Sequence, residues 1–239
     1  MTEKIGSFGR IRVFEDFLGA PDVTTGGTTA LTRVCGLTQL AVGAPTLAQT
    51  VDEPGGVLSI STGNTDDNNV VLYAGPFKPA DGGCVIEARF KLNSITLGAV
   101  FCGFTETLAT TPVMPAESST GTLDLVATGG VVGMLFDPDD TTDIWKAVAG
   151  QTNVAATDAP TSATTAVVAD EWDIVRVEIT SDKGDGLCYL NGVLIKNFPA
   201  CVTPGDIAHA VLFVENRAST VIMEVDYFFA EGSRDWTIA

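Results

Sequence analysis

Strict two-residue alternation of apolar and charged side chains constrains this chain most. Cys84 to Leu92 reads CVIEARFKL, with Ile86, Ala88, Phe90 and Leu92 on one face and Glu87, Arg89 and Lys91 on the other. Successive side chains of an extended strand point to opposite sides, so this pattern is a strand with one face in a core and one in water. Trp172 to Thr180 repeats it, Val175, Val177 and Ile179 alternating with Arg176 and Glu178. In Val221 to Phe229, Val221, Met223, Val225, Tyr227 and Phe229 are expected in the core, opposite Glu224 and Asp226. Shorter runs occur at Ile11–Phe17, Val57–Ser61, Val70–Ala74, Leu97–Phe104, Val131–Phe136, Ile144–Ala149 and Val211–Glu215, separated by turns such as Pro54-Gly-Gly, Asp182-Lys-Gly-Asp-Gly186 and Asn191-Gly192. Many short strands punctuated in this way predict an all-β antiparallel sandwich or barrel. No segment carries a sustained helical stripe, and Thr105–Ala109 is the best candidate for a helical turn. Thr24–Thr29 and Gln151–Thr165 read as long surface loops.

With 45% hydrophobic residues in 239, the chain can bury one sizeable core. Its net charge of −17, from 13 bases and 30 acids, repels phosphate backbones and anionic lipid. Nucleic acid and membrane are therefore not expected as partners, and no apolar run reaches the roughly 18 residues of a membrane span. The amino terminus lacks a secretory h-region, which predicts synthesis in the cytoplasm. The five cysteines, Cys35, Cys84, Cys102, Cys188 and Cys201, are odd in number and lie mostly in apolar runs. They read as buried free thiols; zinc is disfavoured by the lack of a C-x-x-C pair and by a single histidine, His209.

Charge is divided along the chain. Residues 1–12 hold Lys4, Arg10 and Arg12 against Glu3, a balance of +2, which leaves −19 on the rest. With Gly6 and Gly9 around Phe8, this reads as an extended arm ahead of a single domain over 13–239, Lys4, Phe8, Arg10 and Arg12 being its partner-binding residues. The alternative is a frayed terminus.

The stretch W-D-I-V-R-V-E-I-T from Trp172, the glycine-rich turn, and L-C-Y-L-N-G-V-L-I from Leu187 form a meander whose Asn-Gly favours a type I′ hairpin. It resembles the concanavalin A-like jelly roll of laminin G-type modules, legume lectins and family-16-type glucanases. Phe14-Glu-Asp-Phe-Leu-Gly19 and Met223-Glu-Val-Asp-Tyr-Phe-Phe229 resemble the first and last strands that pair in such folds. The resemblance implies an antiparallel jelly-roll β-sandwich, a fold that hosts lectins, hydrolases and structural modules alike. The E-D-F-L-G opening, the Thr/Gly/Ala-rich acidic body and the terminal V-D-Y-F-F…R-D-W also resemble virion structural proteins of tailed bacteriophages.

Retaining glucanases of that fold need two carboxylates about 5–5.5 Å apart, on an E-x-D-x-E or E-x-D-x-x-E strand. Glu224-Val-Asp226 begins the spacing, but Phe228 and Phe229 fill the third position, and Thr122–Val126 holds only Asp124. No G-x-S-x-G elbow exists, and a triad would have to recruit His209. Calcium is the ligand candidate, at Asp137, Asp139, Asp140 and Asp143, with a second oxygen-rich loop at Asp66–Asn69; the alternative is a solvated turn. Trp145, Trp172 and Trp236 are the aromatic candidates for a sugar platform, Trp145 foremost.

The leading expectation is thus a non-enzymatic capsid decoration or cement protein on the outer surface of a phage head. It would bind the major capsid protein through the arm, as a closed homo-oligomer, a trimer by the symmetry of such sites. No cofactor is expected apart from the calcium candidate. The alternative is a carbohydrate-binding, lectin-like module on a virion or tail, and the third reading is a glycoside hydrolase.

Overall fold

The structure, a computed structural model, describes residues 10–18, 32–34, 37–50, 55–125, 129–151, 154–155 and 160–233. Their strands, in chain order, are β1 (Arg10–Glu15), β2 (Thr32–Val34), β3 (Leu37–Ala41), β4 (Thr46–Thr50), β5 (Val57–Ser61), β6 (Asn69–Phe77), β7 (Cys84–Leu92), β8 (Gly98–Thr105), β9 (Ala116–Ser119), β10 (Thr122–Leu125), β11 (Val131–Phe136), β12 (Ile144–Gln151), β13 (Val154–Ala155), β14 (Thr161–Ala166), β15 (Asp173–Ile179), β16 (Gly186–Leu190), β17 (Val193–Phe198), β18 (Ala208–Asn216) and β19 (Ile222–Ser233). Every described pairing is antiparallel. Sheet I runs β17-β16-β15-β7-β19-β5-β4, with β1 also on β19; sheet II runs β13-β12-β11-β8-β18-β6-β3-β2, with β14 on β12; β9 and β10 form a separate hairpin.

The alternation read from the sequence decides which side chains meet. Ile86, Ala88 and Phe90 of β7, with Val175, Val177 and Ile179 of β15, face Val100, Cys102 and Phe104 of β8 and Leu212 and Val214 of β18 in one continuous core. Trp145 is buried in that core, edge-on to Phe90 at 5.8 Å and tilted against Phe136 at 5.9 Å. Its indole N–H donates to Asp173 Oδ2 at 2.8 Å, which satisfies the polar atom that burial strips of water. Asn191 and Gly192 both take positive φ, 49° and 79°, as the expected type I′ turn requires.

Four expectations change. The helical turn at Thr105–Ala109 is absent: Thr105 ends β8, and the described residues form a helical turn only at Pro79–Asp81. Part of the expected loop Gln151–Thr165 is strand, in β13 and β14; Thr24–Thr29 lies outside the described residues. The arm does not extend through residue 12, because Arg10 and Arg12 belong to β1, which pairs with β19 in the register Arg12↔Glu231 and Phe14↔Phe229. Lys4 and Phe8 lie outside the described residues. In β19 a bulge between Val225 and Tyr227 shifts the alternation, so Phe228 and Ala230 are buried while Tyr227 and Phe229 turn outward.

Candidate functional site

A two-sheet sandwich has two outer faces, and here they differ completely. The outer face of sheet II is apolar and covered. Phe101 of β8, Val131 and Leu135 of β11, Val211 and Phe213 of β18 and Val71 of β6 form a second core with Met114, Ala116 and Leu125 laid over them. The covering chain is the segment after β8 and the β9–β10 hairpin. Gly103 and Gly133 pair across the centre, where a side chain on Gly133 would run 2.5 Å from the Phe101 ring. The outward positions of β8 are Ala99, Phe101, Gly103 and Thr105, so this strand offers no row of carboxylates.

Polar groups pin the hairpin at one end of that face. Arg217 binds Asp137 through Nε at 3.2 Å and Nη2 at 2.7 Å, and Glu215 through Nη1 at 2.5 Å. Asp137 also accepts the backbone N–H of Ser118 at 3.0 Å, while Asp140 takes the Ser118 hydroxyl at 2.7 Å, the Gly121 N–H at 3.0 Å and the Lys146 ammonium. Asn69 donates from Nδ2 to Pro112 O at 3.0 Å and to Glu215 at 3.1 Å. Burial pushes the Glu215 carboxyl up to about 7 against the pull of Arg217, and it raises Glu117 in the same way. The four aspartates proposed for calcium are therefore not gathered around an ion. Asp137 and Asp140 are spent on Arg217 and Lys146, Asp139 and Asp143 are exposed, and no metal-holding group of three or more ligands exists among the described residues.

The other sequence candidates fare similarly. Trp145 is 1% exposed and presents no platform to a sugar. His209 lies edge-on to Tyr73 at 6.0 Å, its pKa lowered by burial. The thiols of Cys84, Cys102, Cys188 and Cys201 are buried and pushed up by that burial, Cys201 to about 12, which keeps them un-nucleophilic. Glu224 and Asp226 are ion-paired to Lys91 at 2.8 Å and Arg89 at 2.6 Å. Cys35 and Trp236 lie outside the residues whose side chains are described.

The outer face of sheet I is open. Its side chains stand in cross-strand rows set by register. One row is Tyr189, Arg176, Glu87, Phe229 and Phe14, across β16, β15, β7, β19 and β1; a neighbouring row is Leu187, Glu178, Val85, Glu231 and Arg12. With strands about 4.8 Å apart, a five-strand row spans roughly 19 Å. Aromatic rings recur along the face. Phe14 is 58% exposed and 6.2 Å from Tyr227, Phe229 lies 5.7 Å from the Arg12 guanidinium, and Trp172 carries Arg89 at 4.5 Å and Lys91 at 4.8 Å. Bases and acids interleave: Arg176 reaches Glu178 at 2.7 Å and Glu87 at 3.2 Å, and the Tyr227 hydroxyl donates to Glu87 at 2.9 Å. On the described strands β1, β7, β15 and β19, the five outward bases Arg10, Arg12, Arg89, Lys91 and Arg176 balance the five outward acids Glu87, Glu178, Glu224, Asp226 and Glu231, so these strands' outer side adds nothing to the net −17. At one end the face deepens into a groove of about 560 Å³ between β1–β19 and β15. Sequence alternation marks the charged strands but gives them no role beyond solvent surface. It misses Tyr227 and Phe229, because a period-two count carries straight through a bulge.

No protein-family model matches the chain, and no curated protein is similar to it in sequence. Solved structures are similar in fold. An endo-1,3-beta-glucanase from Streptomyces sioyaensis shares 14% identity at TM-score 0.57, over 95% of this chain and 98% of that one. LamAcat from Zobellia galactanivorans shares 10% at 0.55, over 91% and 96%. The carbohydrate recognition domain of Emp46p, in a potassium-bound form, shares 12% at 0.51, over 78% and 87%. At these identities the likeness is one of fold.

Proposed function

On that fold, a concanavalin A-like jelly-roll sandwich, we propose that the protein is a carbohydrate-binding module without hydrolytic chemistry, holding a saccharide across the open face of sheet I. The observation that carries this reading is the face itself. On a molecule of −17 it is electrically balanced, it bears aromatic rings at the start of β15 and on β16, β19 and β1, and fixed guanidinium and carboxylate groups stand between them. Sugars offer apolar ring faces and rows of hydroxyls, and they are met by aromatic side chains flanked by rigid donors and acceptors. That similar structures include a carbohydrate recognition domain and glucanases supports the same substrate class by analogy. Catalysis is disfavoured because Glu224 and Asp226 are each neutralised by a base, whereas glycoside hydrolysis needs one carboxyl acid and one free carboxylate.

The test is a glycan array followed by titration calorimetry on its hits. Trp172→Ala with Phe14→Ala is expected to weaken binding at least about tenfold, roughly 1.4 kcal/mol, with an unchanged melting temperature. Wild-type affinity in that variant would remove the open face as the site, and turnover of the bound glycan would replace the module with an enzyme. The capsid-decoration reading rests on an arm over residues 1–12, and of its four partner-binding residues Arg10 and Arg12 are strand residues of β1. Attachment of the purified protein to phage heads, with no glycan bound on the array, would restore that reading in place of this one.

A further inference from the structure

The groove at the end of the open face has hydrogen-bond donors in excess of acceptors. Its floor is the backbone of 82–85, its walls β1 with β19 and β15 with the turn after it, and three guanidiniums line it: Arg10, Arg12 and Arg176. Glu231, 12% exposed, gives one carboxylate oxygen to Arg10 Nη1 at 2.6 Å and the other to Arg12 Nε and Nη2 at 2.7 and 2.6 Å. Arg176 is held by Glu178 through Nε at 2.7 Å and by Glu87 through Nη1 at 3.2 Å. A guanidinium carries five N–H donors and no acceptor. Among the described residues these bonds use at most two donors of each arginine, while both oxygens of Glu231 are engaged. The side chains of Arg10 and Arg12 are 60% and 65% exposed, with their ends held in place by one carboxylate. The groove's lining sets these three guanidiniums against Glu178, Glu231 and Asp182, so its formal charges balance and its excess is one of guanidinium N–H donors. Asp182 sits on the exposed turn at the groove's rim, next to Lys183.

We propose that this groove takes the acidic substituent of an anionic polysaccharide, a uronate carboxylate or a sulfate ester, with Arg10 and Arg12 as its principal contacts and Arg176 opposite. The inference rests on the carbohydrate reading of the same face and adds the substrate class. An acceptor-only group matches the unspent donors, and a guanidinium fork binds a carboxylate or sulfate in two parallel hydrogen bonds. A neutral hydroxyl accepts from two donors at most, carries no charge to answer a guanidinium and brings a donor of its own into a site already rich in donors. The acidic remainder of the molecule does not forbid this, because at physiological salt a charge is felt over about 8 Å and not across the sandwich.

The experiment compares a polyuronate, a sulfated glucan and a neutral β-glucan by calorimetry at two salt concentrations. Wild type is expected to prefer one or both acidic polymers at least tenfold, the two arms telling carboxylate from sulfate. Arg10→Ala with Arg12→Ala is expected to abolish that preference and leave neutral binding unchanged. Arg10→Lys with Arg12→Lys should lose most of it, since the charge is kept and the fork is not. Glu231→Gln, which loosens the shared carboxylate's hold on both guanidiniums, should tighten acidic binding several-fold and guards against a variant that fails to fold. Equal affinity for all three polymers in wild type, with no response to these changes, overturns the groove but leaves the carbohydrate reading standing. Full retention by the double lysine variant shows charge attraction alone and overturns it too. No binding to any glycan, or capture of an acidic protein in place of the polysaccharides, overturns both.

Discussion

The outer faces of the two sheets are built from the same strand alternation and end in opposite states. On sheet II the outward positions of β8, β11 and β18 are apolar, and the chain after β8 folds back to bury them under Met114, Ala116 and Leu125. On sheet I the outward positions of β7, β15 and β19 are charged and aromatic, and no described chain covers them. The contrast separates a face that holds the fold together from one that is available to a ligand. An outward Phe213 must be covered or it exposes apolar area, whereas outward arginines paired to glutamates are at home in water. A ligand reaches sheet I without rearrangement and would have to displace a hydrophobic layer to reach sheet II.

Damage to the covered face should give the largest effect. Phe213 is fully buried on the outer side of β18. Phe213→Ala removes its ring from a filled space and is expected to cost about 3–5 kcal/mol of stability, read as a shifted denaturant midpoint with unchanged slope. On the open face Phe14→Ala, at a position 58% exposed, is expected to cost less than about 0.5 kcal/mol. Equal losses at the two positions would mean that the open face is covered in solution.

The pinned end of the covered face should answer to pH. Glu215 has its carboxyl raised from 4.5 to about 7 by burial, with Glu117, Asp67 and Asp137 carrying like charge around Arg217. A raised carboxyl favours the folded state when protonated. Its contribution is therefore fully present below about 4.5 and is lost as pH rises through about 7. The loss should approach about 3 kcal/mol by pH 8, since each tenfold change in proton affinity is worth about 1.4 kcal/mol. Glu215→Gln cannot ionise, so it should flatten that limb; its single oxygen can serve Arg217 or Asn69 but not both, so the comparison is of the slope between about pH 5 and pH 8 and not of absolute stability. An unchanged fall in stability between about pH 5 and pH 8 in that variant would show that Glu215 is not the group responsible.

How far each face is legible in the sequence follows from the same contrast. Alternation in CVIEARFKL and WDIVRVEIT places β7 and β15 correctly, because charges mark the wet side of a strand without ambiguity. Where both sides are apolar the period vanishes, as in β8 and β11, and a strand looks merely buried; nothing local says that a later hairpin will cover its outer side. The short strands β3, β4 and β14, rich in Thr, Ala and Gln, carry too little apolar contrast to stand out from loops. Trp145 is a platform candidate in the sequence because any tryptophan can offer a sugar its ring, but Asp173, distant in sequence, takes its N–H and lets the ring sink into the core. The Asp137–Asp143 loop has the oxygen atoms of a cation site. The cations that answer two of them are Arg217 and Lys146. Charge alone marks Arg10 and Arg12 in the sequence, and their partner Glu231 lies more than 200 positions away.

The smallest effect should come from the ion pairs of the open face taken singly. Arg89 reaches Asp226 at 2.6 Å with side chains 35% and 22% exposed, so solvent screens the attraction. Such pairs contribute about 0–1 kcal/mol, because holding two flexible chains together offsets most of the Coulomb gain. Asp226→Asn is thus expected to shift stability by less than about 0.5 kcal/mol while loosening Arg89 from its position over Trp172. If the face is a binding surface, that loosening should appear in glycan affinity and be nearly silent in melting. If it is only a solvated surface, neither quantity should move. A double-mutant cycle between Asp226→Asn and Trp172→Ala separates the two, since a coupling seen in binding but not in stability means that Asp226 reaches the ligand site through Arg89 and Trp172.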